Sequence, residues 1–471
     1  EYDLSNEPGS REEIRTSRES KKNRTNNNPN LQDIVPIRTT MPQTTGDGIV
    51  GLENLGNTCF MNSCLQCLLN TTPLAAYFLE DGHLRETNPK SSSGGRFAGA
   101  FGEFMQDYWS TRSHECAKAP RQLKKVIGKF ARQFSGFAQH DAQEVSCCGR
   151  VHLLWPGLAM KEHYWLIICY PLFVSLSLFP HFSQLLRYLL EGLHEDLNRI
   201  HNKPAYEEIK DDPNLNETEK CAVWWSNYED RNNSSIKDIF CGQLRSFVTC
   251  RTCGHRSSAY DPFWDLSLPL TSKRKCTIED CLKNFAGDEI LSGNDAYYCS
   301  KCKKHRKSTK NMSIQRWPPV LCLHIKRFQG TTKLKTKVSF PTSGLDLRKI
   351  NSVISETAGD QSDPVYHLMG VSNHYGNLHS GHYTADCRSP QTGEWYSFDD
   401  SRVSSSSERE LSKVSAYILF YARDDQVQWI GWCCDTRVLC VCVFTLGGGG
   451  GEFFSAHTQG RTLVVVVAWL P

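Results

Sequence analysis

The chain has 471 residues, with 54 Lys and Arg against 51 Asp and Glu and a formal net charge of +3. So even a balance gives no bulk electrostatic reason to bind nucleic acid or a membrane surface, while the length allows one large core or two domains. The 21 cysteines are numerous, but several fall in two anomalous stretches, so they are not read as a disulfide framework.

Residues 1–45 are polar, rich in Asn, Ser, Arg and Glu and poor in aromatics, and read as a disordered arm. The first residue is Glu1 rather than Met, which reads as a fragment, and no secretory signal is visible. From Ile49 to Glu144 the pattern is mainly helical. The run from Gly51 to Asn62, GLENLGNTCFMN, places Asn57 and Thr58 as N-cap residues before a helix over Phe60 to Leu69. Cys59 then falls in the first turn, where unpaired N–H groups and the helix dipole favour a thiolate. With an imidazolium nearby, such a setting lowers a thiol pKa from about 8.5 to between about 3.5 and 7.5. Gly51 and Gly56 permit a tight loop before the helix, and Asn54 on that loop can offer its amide to a developing oxyanion. Cys64 and Cys67, on the helix itself, read as small packing residues. Further on, Asp141 and Glu144 form a capping pair at a helix start.

Val145 to Gln184 breaks this pattern. Excised, it lets Asp141-Ala-Gln-Glu144 run directly into Leu185-Leu-Arg-Tyr-Leu-Leu190. We read 145–184 as an in-frame unspliced intron, against a membrane span, for which its apolar run is short and holds Pro171, and against a genuine insertion packed on neighbouring helices. Leu185 to Leu197 resumes as an amphipathic helix with Leu185, Leu186, Leu189, Leu190, Leu193 and Leu197 on one face.

From Ile236 short strands replace helices: Gln243 to Cys250, Ser258 to Leu270 and Ser313 to Phe328. Cys250-Arg-Thr-Cys253 and Cys299-Ser-Lys-Cys302 are paired knuckles whose four thiolates suit one tetrahedral, structural zinc ion. The basic runs Lys301 to Lys310 and Lys333 to Lys337 lack interleaved aromatics and read as solvated surface. Lys349 to Ser362 reads as a loop. Strands over Val365 to Asn373, His382 to Arg388 and Tyr417 to Tyr421 follow. Ser380-Gly-His382-Tyr383 and Trp395-Tyr-Ser-Phe-Asp399-Asp400 supply an imidazole and carboxylates to match the distant thiol, the three parts of a cysteine-nucleophile hydrolase. His382 would be the base and Asp399 would hold its tautomer. Residues 426–471 form a second anomalous stretch, with Gly447 to Gly451 and Val464 to Val467. Its apolar end is too short to span a bilayer and, if exposed, is an aggregation risk.

Together, the Cys59 box, Gln139-His-Asp-Ala-Gln-Glu144, Phe263-Trp-Asp-Leu-Ser-Leu-Pro269, Leu323-His-Ile-Lys-Arg-Phe328, Gly381-His-Tyr383 and Ala416-Tyr-Ile-Leu-Phe-Tyr421 resemble the ubiquitin-specific proteases. Within that family the chain is most similar to short catalytic cores of the type 2 group. The resemblance implies an α+β papain-like fold in 46–425: a helical thumb at about 46–200, zinc-ribbon fingers at about 236–315 and a β-sheet palm at about 316–425. It implies Cys59 as nucleophile, His382 as base, Asp399 as third member, Asn54 as oxyanion donor and Asp400 as an assisting neighbour. Asp141 and Glu144 would meet the basic C-terminal tail of ubiquitin, and Cys250, Cys253, Cys299 and Cys302 would hold one Zn2+ per chain. The expected activity is hydrolysis of the (iso)peptide bond after ubiquitin's terminal glycine through a Cys59 thioester. The alternative is a silent ubiquitin-binding scaffold, impaired by the 145–184 insert. Ubiquitin and ubiquitinated proteins are the expected partners, with no organic cofactor, nucleic acid or membrane. Reduced thiols place the chain in the cytoplasm or nucleus.

Overall fold

The computed structural model describes residues 36–111, 120–130, 185–209, 212, 214–271, 274–329, 332–359, 361–377, 381–411 and 414–426. For 181–184, 438–446, 453–458 and 461–470 it describes the backbone alone. Asp141, Glu144 and almost all of the 145–184 stretch lie outside the described residues.

The amino-terminal half is helical. Helices Cys59–Leu69, Thr72–Leu79, Arg96–Ser110, Pro120–Phe130 and His181–Asp196 pack around one core. Apolar residues recur on one face of each: Phe97, Phe101, Phe104 and Met105 in one, and Leu185, Leu186, Leu189, Leu190 and Leu193 in another, all buried. Gly95, which precedes Arg96–Ser110, has no side chain to cap that helix. A distant carboxylate substitutes. Asp196 accepts from the backbone N–H groups of Phe97 and Ala98 at 2.9 and 3.0 Å, which satisfies orphan donors and places negative charge at the positive end of the dipole. Three residues after Asp196, buried Arg199 pairs with Glu86 at 2.8 Å and Asp238 at 3.2 Å.

Two sheets follow. The outer one orders its strands as Arg256–Phe263, Gly242–Cys250, Ser308–Arg316 and Glu289–Leu291, all antiparallel. The inner one runs Arg402–Ser406, Trp395–Asp399, Gly381–Arg388, Val365–Gly376, Ala416–Arg423, Val320–Lys326 and Leu266–Pro269, with only the last pair parallel. Its central strands are buried on both faces, so they read as unbroken apolar runs such as Tyr417 to Ala422. Three further strands, Val438–Leu446, Phe453–Thr458 and Arg461–Leu470, form a separate small sheet.

Several expectations are corrected. Ser258 to Leu270 is two strands, broken at Trp264-Asp265, because Asp265 turns inward to pair with Arg187. Ser313 to Phe328 is broken at Pro318-Pro319, where neither residue has an N–H for the ladder. Helices Glu217–Glu229 and Ile278–Phe285 stand where no element was expected, each opened by a capping box, Asn216 with Glu219 and Thr277 with Asp280.

Candidate active site

The helix Cys59–Leu69 lies against the strand Gly381–Arg388, and the polar side chains in its sequence explain how it is held. Ser63 Oγ bonds Ser372 Oγ and donates to the Thr384 carbonyl, both at 2.7 Å. Gln66 Nε2 donates to the Val50 carbonyl at 2.8 Å. These buried polar groups are partnered across the interface, and they fix the thiol relative to the histidine strand. Thr58 is the N-cap residue, but its hydroxyl does not cap the helix. It instead accepts the Leu55 N–H at 2.8 Å and so tightens the loop ahead. Gly51 is required by close approach: a Cβ there would lie 2.4 Å from the Ser401 carbonyl oxygen. Gly56 adopts a left-handed φ of 93°.

His382 and Asp399 are brought together at the open edge of this contact. His382 Nε2 and Asp399 Oδ1 are 2.6 Å apart, both side chains about half exposed. That bond leaves Nδ1 as the ring nitrogen able to take a proton. The buried Cys59 sulfur accepts the backbone N–H of Tyr383, the residue after His382. Asp400, in a left-handed turn with φ 51°, keeps a carboxylate oxygen within 4.8 Å of a His382 ring nitrogen and an Asp399 oxygen. Its Oδ2 accepts from Asn54 Nδ2 at 2.8 Å, and its carbonyl accepts the Leu52 N–H at 2.8 Å. Asn54 Oδ1 accepts the N–H groups of Gly56 and Thr58 at 3.0 and 3.2 Å. The amide is therefore fixed at both ends, and its second N–H is engaged by no described residue. Asp141 and Glu144 cannot be related to this geometry, since they lie outside the described residues.

The electrostatics depart from the expectation of a lowered thiol pKa. Burial pushes the Cys59 thiol up. The Tyr383 N–H opposes this, the charge of Asp400 adds to the rise, and the N–H groups of Phe60 and Cys59 at the helix start pull it down. Desolvation wins, so the resting form is a neutral thiol that needs a base. Alkylation of Cys59 by iodoacetamide, followed on its tryptic peptide, should keep accelerating above the ordinary thiol value of 9.0. A plateau by about pH 7 would mean a preformed thiolate–imidazolium pair instead.

Sequence reasoning missed Asn62, Ser63 and Gln66. The signal was there: three amide or hydroxyl side chains inside an otherwise apolar helix, each nearly inaccessible.

A second cluster joins Cys250, Cys253, Cys299 and Cys302, whose sulfurs all lie within 4.8 Å of one another. Cys253 and Cys299 Sγ are 3.6 Å apart, and Cys250 and Cys302 Sγ 4.0 Å. Metal–sulfur bonds of about 2.3 Å in a tetrahedron set sulfur atoms about 3.8 Å apart, so the cluster fits a metal ion. The two knuckles repeat one turn. Gly254 donates its N–H to the Cys250 carbonyl at 2.9 Å and Lys303 donates to that of Cys299 at 2.7 Å, both from left-handed φ. The Cys253 N–H aimed at Cys250 holds that thiol down at about 6.

Comparison with known proteins agrees with this architecture. The family model for ubiquitin carboxyl-terminal hydrolase matches residues 50–148 and 182–421. Ubiquitin carboxyl-terminal hydrolase 2 of Bos taurus is 38% identical over 392 residues, covering 82% of this chain and 57% of its own length. Ubiquitin carboxyl-terminal hydrolase 21 of Homo sapiens is 33% identical over 401 residues, 80% of this chain and 62% of its own. The chain thus spans a little over half the length of such relatives. Among solved structures, the SAGA DUB module bound to ubiquitin aldehyde aligns with a TM-score of 0.54 and 25% identity, over 88% of this chain and 76% of that one. With the family model matched on both sides of the anomalous stretch, and relatives this similar across four-fifths of the chain, it belongs to the ubiquitin carboxyl-terminal hydrolase family.

Proposed function

We propose that the chain is a thiol-dependent deubiquitinase that hydrolyses the (iso)peptide bond after the C-terminal glycine of ubiquitin. The observation that carries this is the 2.6 Å contact between His382 Nε2 and Asp399 Oδ1, on the strand whose next residue, Tyr383, donates to the Cys59 sulfur. His382 takes the Cys59 proton at Nδ1, and Asp399 stabilises the imidazolium that results. The thiolate attacks the glycine carbonyl, giving a tetrahedral oxyanion. The second N–H of Asn54, which no described residue engages, and the helix-start N–H of Cys59 receive that charge. Collapse expels the amine, which leaves with the proton from His382, and water then hydrolyses the thioester by the same base. A raised thiol pKa suits such general-base activation, because a buried neutral thiol is inert until a substrate and a base meet it.

Asp141 and Glu144 are proposed to meet the basic tail of ubiquitin. The four-cysteine cluster is proposed to hold one structural Zn2+, with the thumb, fingers and palm divided as given above. The 145–184 stretch is proposed to be dispensable, supported by the family match stopping at 148 and resuming at 182. Partners would be ubiquitin and its conjugates, in the cytoplasm or nucleus, where thiols stay reduced. The relatives' names and the ubiquitin aldehyde bound by the SAGA module support the substrate class. No feature of the described residues favours the scaffold alternative.

The test is a ubiquitin bearing a C-terminal electrophile. An adduct mapped to Cys59 is expected, and ubiquitin bound without any adduct would overturn the enzymatic reading. Asn54→Ala should lower kcat by roughly 10² to 10³ with ubiquitin affinity retained. If turnover survives that substitution, the amide is not an oxyanion donor.

A further inference from the structure

Asn62 lies about one helical turn after Cys59 and is 2% exposed. Its Nδ2 donates to Asp400 Oδ1 at 2.7 Å, and also reaches the carbonyls of Leu52 and Glu53 at 3.3 Å each. An amide nitrogen has two hydrogens. One therefore serves the carboxylate, and the other is shared between two carbonyls of the loop that leads into Asn54. Three acceptors fix which end of the amide faces them, and Oδ1 on the far side is buried without a partner among the described residues. The side chain is placed for its donors.

What these donors join is informative. Asp400 is the only described carboxylate bonded to Asn54, and it holds that amide by its other oxygen, Oδ2. A carboxylate with one fixed oxygen can still pivot about the Cβ–Cγ bond; one fixed at both oxygens cannot. The Asp400 carbonyl also takes the Leu52 N–H at 2.8 Å, so Asn62, Asp400 and the 52–54 loop close on one another. We propose that Asn62 is a positioning residue for the reaction, which locks the Asp400 carboxylate and through it sets the direction of the Asn54 N–H toward the oxyanion. The inference rests on the deubiquitinase reading above and deepens it.

If so, Asn62 acts only through Asp400, and its effect falls on kcat. In a fluorogenic ubiquitin C-terminal amide assay, Asn62→Ala should reduce kcat by roughly tenfold or more, the scale of a charge-assisted hydrogen bond, with KM and the ubiquitin Kd within about twofold. In an Asp400→Ala background the same substitution should change kcat by less than about twofold. Losses that multiply independently would overturn the proposal. So would a loss confined to the melting temperature, with kcat intact in the folded protein.

Asn62→Asp provides a second variant of nearly the same shape, for use if the alanine protein does not fold. It sets two carboxylates against each other where an amide met one, so they share a proton at lower pH and repel at higher pH. The ratio of variant to wild-type kcat should therefore rise toward acid. The other ionisable groups facing this cluster are His382 and Asp399, Cys59, and Glu53 with its partner Arg121; all are present in both proteins, so the ratio reports the effect of the added carboxylate, its influence on their titration included. A flat ratio overturns the proposal. Wild-type protein without turnover would instead sink the deubiquitinase reading itself, which the same plate reports separately.

Discussion

Cys59→Ala is expected to abolish turnover of ubiquitin conjugates while leaving the ubiquitin Kd within about twofold. The substitution removes one sulfur atom from a buried position in the first turn of a helix. Alanine is the best helix former, so the helix and the partners of Ser63 and Gln66 should persist. No other described thiol can replace it. Cys64 and Cys67 are fully enclosed further along the same helix, where burial pushes both thiols well up, so neither ionises near a substrate. Removing the nucleophile of a catalytic unit costs about as much as removing the whole unit, roughly 10⁶ in kcat. The measurement pairs a fluorogenic ubiquitin C-terminal amide with calorimetric binding. Residual kcat above about one per cent would mean that the chemistry runs through another group. Lost binding with lost turnover would mean that the thiol holds the tail channel open rather than attacking.

The parts of this site differ in how far residue identity alone reveals them, and the reason is physical. Cys59, His382 and the four cluster cysteines are residue types that few others can replace in such chemistry, so spacing and type were enough to single them out as candidates. The helix over Cys59–Leu69 was visible because no proline or glycine interrupts it after the N-cap residues. By contrast, Asp399 and Asp400 are the same residue type at adjacent positions, and only backbone geometry separates them. The left-handed turn at Asp400 brings its carboxylate to Asn54 and Asn62 while keeping it within 4.8 Å of His382, whose hydrogen bond goes to Asp399 on the strand. The direction of the thiol shift was misjudged for a similar reason. Helix-start N–H groups are local and legible, whereas desolvation is set by elements hundreds of residues away, and it dominates here. Helix Glu217–Glu229 escaped notice because Cys221 is its only buried residue. It has no apolar face to read, and is held by capping and by Glu217, which accepts from Arg245 at 2.8 Å and Ser258 at 2.8 Å.

Stripping metal with a strong chelator, or replacing Cys250 by serine, is expected to unfold the fingertip and weaken ubiquitin binding by tenfold or more, roughly, while leaving Cys59 chemistry intact. The tip consists of two knuckles and the hairpin Tyr297–Cys299 with Lys304–Arg306, a pair of three-residue strands. An isolated hairpin is marginal in water at any length, and this one is very short. Basic side chains crowd it: Arg251, Arg256, Lys301, Lys303, Lys304 and Lys307 are all exposed around the sulfurs. Their mutual repulsion opposes closure, so the tip needs a strong internal tie. A structural Zn2+ on the four thiolates would supply an apparent ~10–16 kcal/mol at neutral pH, which would be ample. The longer strands Gly242–Cys250 and Ser308–Arg316 pair along their whole length and should survive, so unfolding stays local. Metal analysis should find one zinc per chain, and hydrogen exchange after chelation should rise in 250–256 and 297–307 while 242–248 stays protected. Iodoacetamide should still alkylate Cys59 at its original rate, because the thiol's surroundings belong to the palm and the helix Cys59–Leu69. Protein that carries no metal, or a tip whose exchange is indifferent to chelation, would remove zinc from the account. A simultaneous change at Cys59 would show instead that the fingers and the catalytic contact unfold as one unit.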